Sequence, residues 1–372
     1  MSSKYYRFII IFILLILFFH TKSIFSKEIS LIAKNPIKDS LFNTHLNYSL
    51  VNLFVLGSEP LFEALGSKKY SLVRLSEFLI FSYFTAFNSS MSHEFSHFRI
   101  SKFYNLDPSI KINVFGGLVR HNRTFNIDIN IHTVTAGLNQ QEFNSQFIYE
   151  KIVLSSRLTY YNGINFMMNH FGTFAYTLIT MGGYNSNGND IMNYEKLTQI
   201  KGYKITRQRM FALSSLSIFT NLIIWQNFIL SYDFIANNKR ETKLLIFAKT
   251  LAPPLINYFL TDRGDFLSIT LPFVKPTPIF FSVGIGLTNT LFRIGKRIYI
   301  VDSQYVKIIP FFYYNKLENN LHGHQLGLEI QLQPIPKKLN LFVIGKHSKH
   351  DIMDGLKIES GFNIFFGTAF MF

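Results

Sequence analysis

His93, Glu94 and His97 are residues whose types and spacing can do chemistry together. Residues four apart on a helix lie one above the other on a single face. His93 and His97 therefore present two imidazoles to one ion. Glu94 stands about 100° round the helix from His93, close enough to act on a water beside that ion. Two ligands and one general base make the H-E-x-x-H pattern of metal-dependent hydrolysis, with zinc (Zn2+) as its ion. The plainer alternative is a pair of helix-surface histidines beside an ordinary glutamate. The motif follows an apolar run, where burying an unpaired glutamate is costly, and this favours the metal reading.

Two histidines leave a catalytic zinc site short of one protein ligand. Asp190, His170, His121, His132 and Glu142 are the candidates, and Asp190 is favoured. It follows the Gly/Asn-rich turn Gly182–Asn189, which can deliver a carboxylate into a cleft, and it opens a short helix to about Ile200. A carboxylate also suits the positive end of a helix, so Asp190 as a plain helix-start residue is the competing reading. His170 lies in an uncharged stretch and fits a satisfied core histidine. His121 and His132 fall on an expected hairpin, exposed. His322, His324, His347 and His350 fall in the later β-region as a cluster able to bind metal weakly, and solvated turns are the favoured reading.

The elements that must position these groups follow from composition and period. Residues 27–70 read as an irregular entry with short helices around Glu59, Pro60 and Glu63, ending at Gly66. From Ser71 to Tyr104 there is neither Pro nor Gly, which predicts one long helix broken by Asp107-Pro108. Ile110–Val119 and Phe125–Val134 both alternate and predict two strands paired across Arg120–Thr124. A helical region then runs from Thr135 to about Arg157. Tyr160–Asn189 and Met210–Tyr232 contain no Lys, Arg, Asp or Glu, so each is long enough to cross a membrane; the second is the better transmembrane candidate. After about Asp265 the period becomes two. Strands are expected at Phe266–Phe273, Ile279–Thr288, Arg297–Tyr314, His324–Gln333, Leu339–Lys346 and Lys357–Phe372, joined by Gly, Pro and Asn turns.

The fold class expected is α+β: a helical, membrane-associated, zincin-like N-terminal part, then an antiparallel β-sheet or small β-barrel. The organisation expected is a signal peptide over 1–26, a helical domain over 27–262, and a β-region over 263–372. Lys4 and Arg7 precede the apolar run Phe8–Phe19, which is short for a bilayer span and reads as a secretory signal; an uncleaved anchor is the alternative.

Of 372 residues, 41 are Phe and only 16 % are charged, so a large core can be buried. The net charge of +15 suits an anionic membrane surface or nucleic acid. No dense Lys/Arg run with interleaved aromatics supports nucleic acid, so no such partner is expected. There is no cysteine, which excludes disulfides, thiolate metal sites and cysteine nucleophiles.

The order of parts resembles the site-2 protease family of membrane metalloproteases. There an H-E-x-x-H helix is followed by strands, a Gly-Pro-x-x-Asn helix, and an Asp ligand at a helix start. His93, Glu94 and His97 match. Ala136-Gly137 matches the start of the middle motif, with Leu138 in place of Pro and Gln141 in place of Asn. Asn189-Asp190-Ile191 keeps the Asp of the last motif. The resemblance covers about residues 90–200. It implies His93, His97 and Asp190 as zinc ligands and Glu94 as the base. Separately, the final strand, with Phe362, Ile364, Phe366, Thr368, Phe370 and Phe372 on one face, resembles the closing strand of bacterial outer-membrane β-barrels. The expectation is a zinc metallopeptidase of the cell envelope, in contact with membrane lipid and acting on a protein substrate, in the outer rather than the inner membrane. The alternative is a non-enzymatic outer-membrane β-barrel or structural protein in which H-E-x-x-H is accidental.

Overall fold

The computed structural model describes residues 28–33, 40–113, 116–122, 124–183, 189–275, 277–287, 292–302, 306–316, 322–335, 339–349 and 361–371. The expected signal peptide lies outside them. Strand β1 (Glu28–Ala33) comes first. Instead of short helices, the entry is one helix, α1 (Ser40–Ala64), which tolerates Pro60 near its end and stops at Gly66, where φ is +96°. Helix α2 (Ser71–Phe103) is the long breaker-free helix. It ends where Asn105 and Asp107 turn left-handed, ahead of Pro108.

The expected hairpin is corrected. Strand β2 (Ser109–Asn113) pairs with β3 (Gly116–Arg120), not with the second alternating run. That run opens helix α3 (Ile127–Ser155). Asn126 decides the outcome: its side chain accepts the N–H groups of Asp128 and Ile129, and Asp128 sits in the positive first turn. Ile131 and Leu138 become fully buried on one face, so a run that alternates in sequence also satisfies a helical stripe.

Neither uncharged stretch is a single helix. Strand β4 (Arg157–Thr159) leads into α4 (Tyr160–His170) and α5 (Gly172–Met181), which meet at Phe171. Helix α6 (Asp190–Ile200) follows. Helices α7 (Arg207–Phe219) and α8 (Leu222–Asn237) are bent by 60°. Asn221 makes the break, because its side chain accepts the Ile223 N–H and starts a new helix. Among the described residues no single helix is long and apolar enough to cross a membrane.

Strand β5 (Glu241–Lys243) pairs with β4. The main sheet then begins at β6 (Leu255–Thr261), earlier than the expected change of period, directly after Pro253-Pro254. It continues through β7 (Gly264–Phe273), β8 (Ile279–Gly286), β9 (Phe292–Ile298), β10 (Val301–Asp302), β11 (Val306–Lys316), β12 (His322–Ile335), β13 (Leu339–Lys349) and β14 (Gly361–Met371). The single strand expected over Arg297–Tyr314 is divided, because β9 and β11 are antiparallel neighbours and the chain must reverse between them. The order is β6-β7-β8-β9-β11-β12-β13-β14-β1, with β10 on β11. Every pairing among its described strands is antiparallel. β1 joins from the far end of the chain, Glu28 opposite Met371. Among the described residues no pairing joins β1 to β6, so this is an open sheet. The fold is α+β, a helical part followed by an antiparallel sheet.

Helix α3 lies at the centre. Ile148, Tyr149 and Ile152 are fully buried in one cluster with Phe166 and Phe234, each such side chain contributing roughly 1.5–3 kcal/mol by leaving water. The Tyr149 hydroxyl donates to Pro253 O at 2.6 Å, and its ring meets Phe280 of the sheet. Helix α2 is tied to its neighbours by buried amides. Asn43 Nδ2 donates to Ser92 O at 2.8 Å, and Asn144 Nδ2 donates to Ser92 Oγ at 2.9 Å and Asn169 Oδ1 at 3.0 Å. Unpaired, these groups would be costly in the core, so they fix which face of α2 meets α3.

Candidate metal centre

That face carries His93 and His97, one turn apart and both buried. Each imidazole is held by its Nδ1 atom. His97 Nδ1 lies 2.5 Å from Thr133 O on α3. A carbonyl only accepts, so Nδ1 carries the proton. For His93 the polarity is set by a chain of bonds. Ser89 Oγ donates to Met168 O at 3.3 Å and accepts from Gln141 Nε2 at 2.9 Å. Gln141 Oε1 is left to accept from His93 Nδ1 at 3.1 Å. In neutral form both rings then turn an Nε2 lone pair inward.

The two Nε2 atoms are 3.0 Å apart. Asp190 Oδ2 lies 3.0 Å from His93 Nε2 and 3.1 Å from His97 Nε2. Three acceptors this close repel unless a cation, a proton or a metal ion, lies among them. A tetrahedral zinc with bonds of about 2.0–2.1 Å keeps its ligand atoms roughly 3.3 Å apart. The triangle fits with a small outward shift. The structure thus brings together a buried His-His-Asp group that can hold a metal ion.

The electrostatics agree. Burial works against a charged His97, but the carboxylate and hydrogen bond of Asp190, with Glu94 and the Thr133 carbonyl, raise its pKa to about 9. Burial likewise pushes the Asp190 carboxyl up, yet His97 and His93 hold it well below the usual carboxylate range.

Close approach is needed on two sides. A Cβ on Gly137 would lie 2.5 Å from His93 Cδ2, and one on Gly117 would lie 2.4 Å from Glu94 Cγ. Gly137 lets α3 pass under the His93 ring, and Gly117 brings β3 against Glu94. Tyr176 of α5 stacks on His93, with centroids 5.1 Å apart and planes at 12°. Glu94, His93, His97 and Asp190 line a cavity of about 760 Å³. Its other walls are β3 from Gly117 to Arg120, Asn130 and Thr133 of α3, and Asn193, Lys196 and Ile200 of α6. A pocket of that size suits a substrate segment.

No protein-family model, curated protein or solved structure matches this chain. Its chemistry therefore rests on geometry.

The other candidate ligands do not join the His93, His97 and Asp190 group. His170 Nδ1 meets Glu142 Oε2 at 3.1 Å, Asn257 Nδ2 donates to the same oxygen at 2.6 Å, and Ser217 Oγ lies 3.2 Å from His170 Nε2. They form a buried structural network between helices and sheet. His132 is not exposed on a hairpin; it is buried on α3, with the Tyr104 hydroxyl 2.8 Å from its Nδ1. His121 lines the cavity, but its Nδ1 bonds Asn122 O. His324 and His347 belong to strands rather than turns and stack with centroids 5.5 Å apart; His350 lies outside the described residues. Sequence reasoning missed Gln141 and Thr133 as partners of the ligands. Gln141 was visible, four residues after Gly137, as the polar residue in the middle motif. The Thr133 contribution is a backbone carbonyl and has no residue signal.

Proposed function

We propose that this chain is a zinc-dependent metallopeptidase that hydrolyses peptide bonds at or near a membrane. The observation that carries the reading is the convergence of two Nε2 lone pairs and one carboxylate beside Glu94, on the wall of a cavity. Two histidines and a carboxylate are a zinc donor set that leaves a position open. Zinc, when bound, supplies a Lewis acid for the scissile carbonyl and acidifies water. Glu94 takes the proton of the attacking water and returns it to the leaving amine. Gln141 and Thr133 keep both imidazoles in the ligating tautomer. The same donor set also serves iron redox sites; an acid–base carboxylate within the motif favours hydrolysis.

The test is metal analysis of the purified protein beside a His93→Ala, His97→Ala double variant, with cleavage of an unfolded protein substrate measured on both. Equimolar zinc and activity in the wild type, and neither in the variant, are expected. Wild-type protein that binds no zinc overturns the reading.

A further inference from the structure

A sheet with one face on a core and one in water carries polar residues on the water side. In this sheet the outer side is apolar as well, and the inner side buries charged groups among its rings. The face towards the helices is fixed by three contacts: Tyr149 on Phe280, His45 stacked on Phe342 at 5.5 Å, and Glu150 with Arg297 at 3.2 Å. On that inner face β12 places Gln325 and Glu329, both buried. On the opposite face it places Leu326, Leu328, Ile330 and Leu332, three of which are among the exposed residues.

The apolar outer side continues across the strands in register. Leu271 pairs with Phe281 and Ile269 with Val283; Val283 pairs with Ile294; Ile308 pairs with Ile330, and Ile330 with Val343. All of these share the outer side. On β11 the outer positions run from Val306 to Tyr314, nine residues or roughly 30 Å along the strand. Tilted as strands are in a bilayer, that length matches an apolar band of about 25 Å.

We infer that the outer face of this sheet contacts the hydrocarbon of a lipid bilayer with an anionic headgroup layer. Charge selects that occupant over a second copy of the chain. Among the described side chains the outer face carries Lys296 and Lys316, and its one carboxylate, Asp265 at the start of β7, is buried and already paired with Arg209 at 2.8 Å. A twofold contact between two such faces would oppose cations with nothing to pair them, whereas anionic headgroups complement them. His324 and His347 lie at the Lys316 end of the face, where headgroups would sit. The inference rests on the sheet alone and holds whether or not the metal centre binds zinc.

The chain has no cysteine, so one introduced thiol takes a label at one place. Full-length Leu328→Cys and Leu332→Cys variants, with Lys204→Cys in the α6–α7 loop as reference, are labelled with an environment-sensitive fluorophore. They are mixed with vesicles of phosphatidylcholine and phosphatidylglycerol brominated in the acyl chains. Quenching by bromolipid should be severalfold stronger at positions 328 and 332 than at 204, and quenching by aqueous iodide should be weaker there. Two results overturn the inference. One is iodide quenching at 328 and 332 that vesicles leave unchanged. The other is shielding from both quenchers in a particle of doubled mass, which assigns the face to a second copy. Circular dichroism matching wild type shows that each variant is folded, and two outer positions guard against one local disturbance.

Discussion

Asp190 Oδ2 lies 3.0 Å from His93 Nε2 across 97 residues of sequence. The α6 helix does not need that carboxylate as its cap: Asn189 accepts the Met192 N–H at 3.1 Å and does the capping itself. Asp190 is thereby left to face the two imidazoles. Asp190→Ala should lose most of its zinc while α6 stays formed, because a ligand has been removed. The helix-start contribution lost with it is only about 0.3–1 kcal/mol. Zinc content by atomic absorption, read beside thermal unfolding, separates the two effects. Full zinc occupancy in Asp190→Ala would falsify its role as ligand.

Glu94 lines the same cavity but is not one of the three converging groups. Glu94→Gln keeps the size of the side chain but removes its basic carboxylate, and it should retain zinc at the wild-type level. Turnover should fall by about 10²–10⁴-fold, the usual contribution of an acid–base group. Equal loss of zinc and turnover would make Glu94 a ligand instead of a base.

The His97 pKa sets a pH dependence with a definite sign. In the metal-free protein it is raised from 6.5 to about 9. The stability it contributes is fully present below the unfolded value and is lost as pH rises through about 9. A metal ion must displace that proton, so affinity should climb roughly tenfold per pH unit between neutrality and about 9, then level off. Competition titration with a zinc indicator at several pH values measures the slope. A flat profile from pH 7 to 9 contradicts the arrangement of His97 and Asp190.

Local chemistry made part of this legible in sequence. The long helix of His93 and His97 was set by thirty-odd residues without a breaker, and Asp190 by a turn feeding a helix start. The later strands were legible because alternation and turn residues repeat. The hairpin partner of β2 was misread because Phe125–His132 alternates, while one cap, Asn126, tips it into a helix. The apolar stretches at Tyr160 and Met210 read as spans because hydropathy carries no record of the helix breaks at Phe171 and Asn221. The pairing of β1 with β14 joins the two ends of the chain, and no local pattern announces it. Nor did any local pattern reveal that Gln325 and Glu329 face inward while Leu326 and Leu328 face out; that needs the side of the sheet on which the helices lie.

Gln141 should matter to the metal although it never touches the ion. It accepts from His93 Nδ1 at 3.1 Å and is itself held by Ser89. Gln141→Leu removes the acceptor, frees the His93 tautomer, and should weaken zinc binding by about 10–100-fold. Gln141→Glu keeps an acceptor at the same place and should recover much of the affinity. Unchanged zinc affinity in Gln141→Leu would show that Thr133 and packing alone orient the ligands.

His170 offers the reverse control, because it was a rival third ligand and the structure places it in a different network. Its ring sits between Glu142 Oε2 and Ser217 Oγ, and Asn257 donates to the same Glu142 oxygen, with all four residues buried. His170→Ala leaves the Glu142 carboxylate without one partner and opens a void beside Phe166, whose ring stacks on it at 5.2 Å. Breaking a buried ionisable pair costs about 3–5 kcal/mol. The thermal midpoint should therefore drop by many degrees, while zinc occupancy of the folded protein stays at the wild-type value. Glu142→Gln, which still accepts through its amide oxygen, should be milder on stability and equally silent on zinc. If either substitution removes zinc from protein that circular dichroism shows to be folded, the ligand set is not His93, His97 and Asp190.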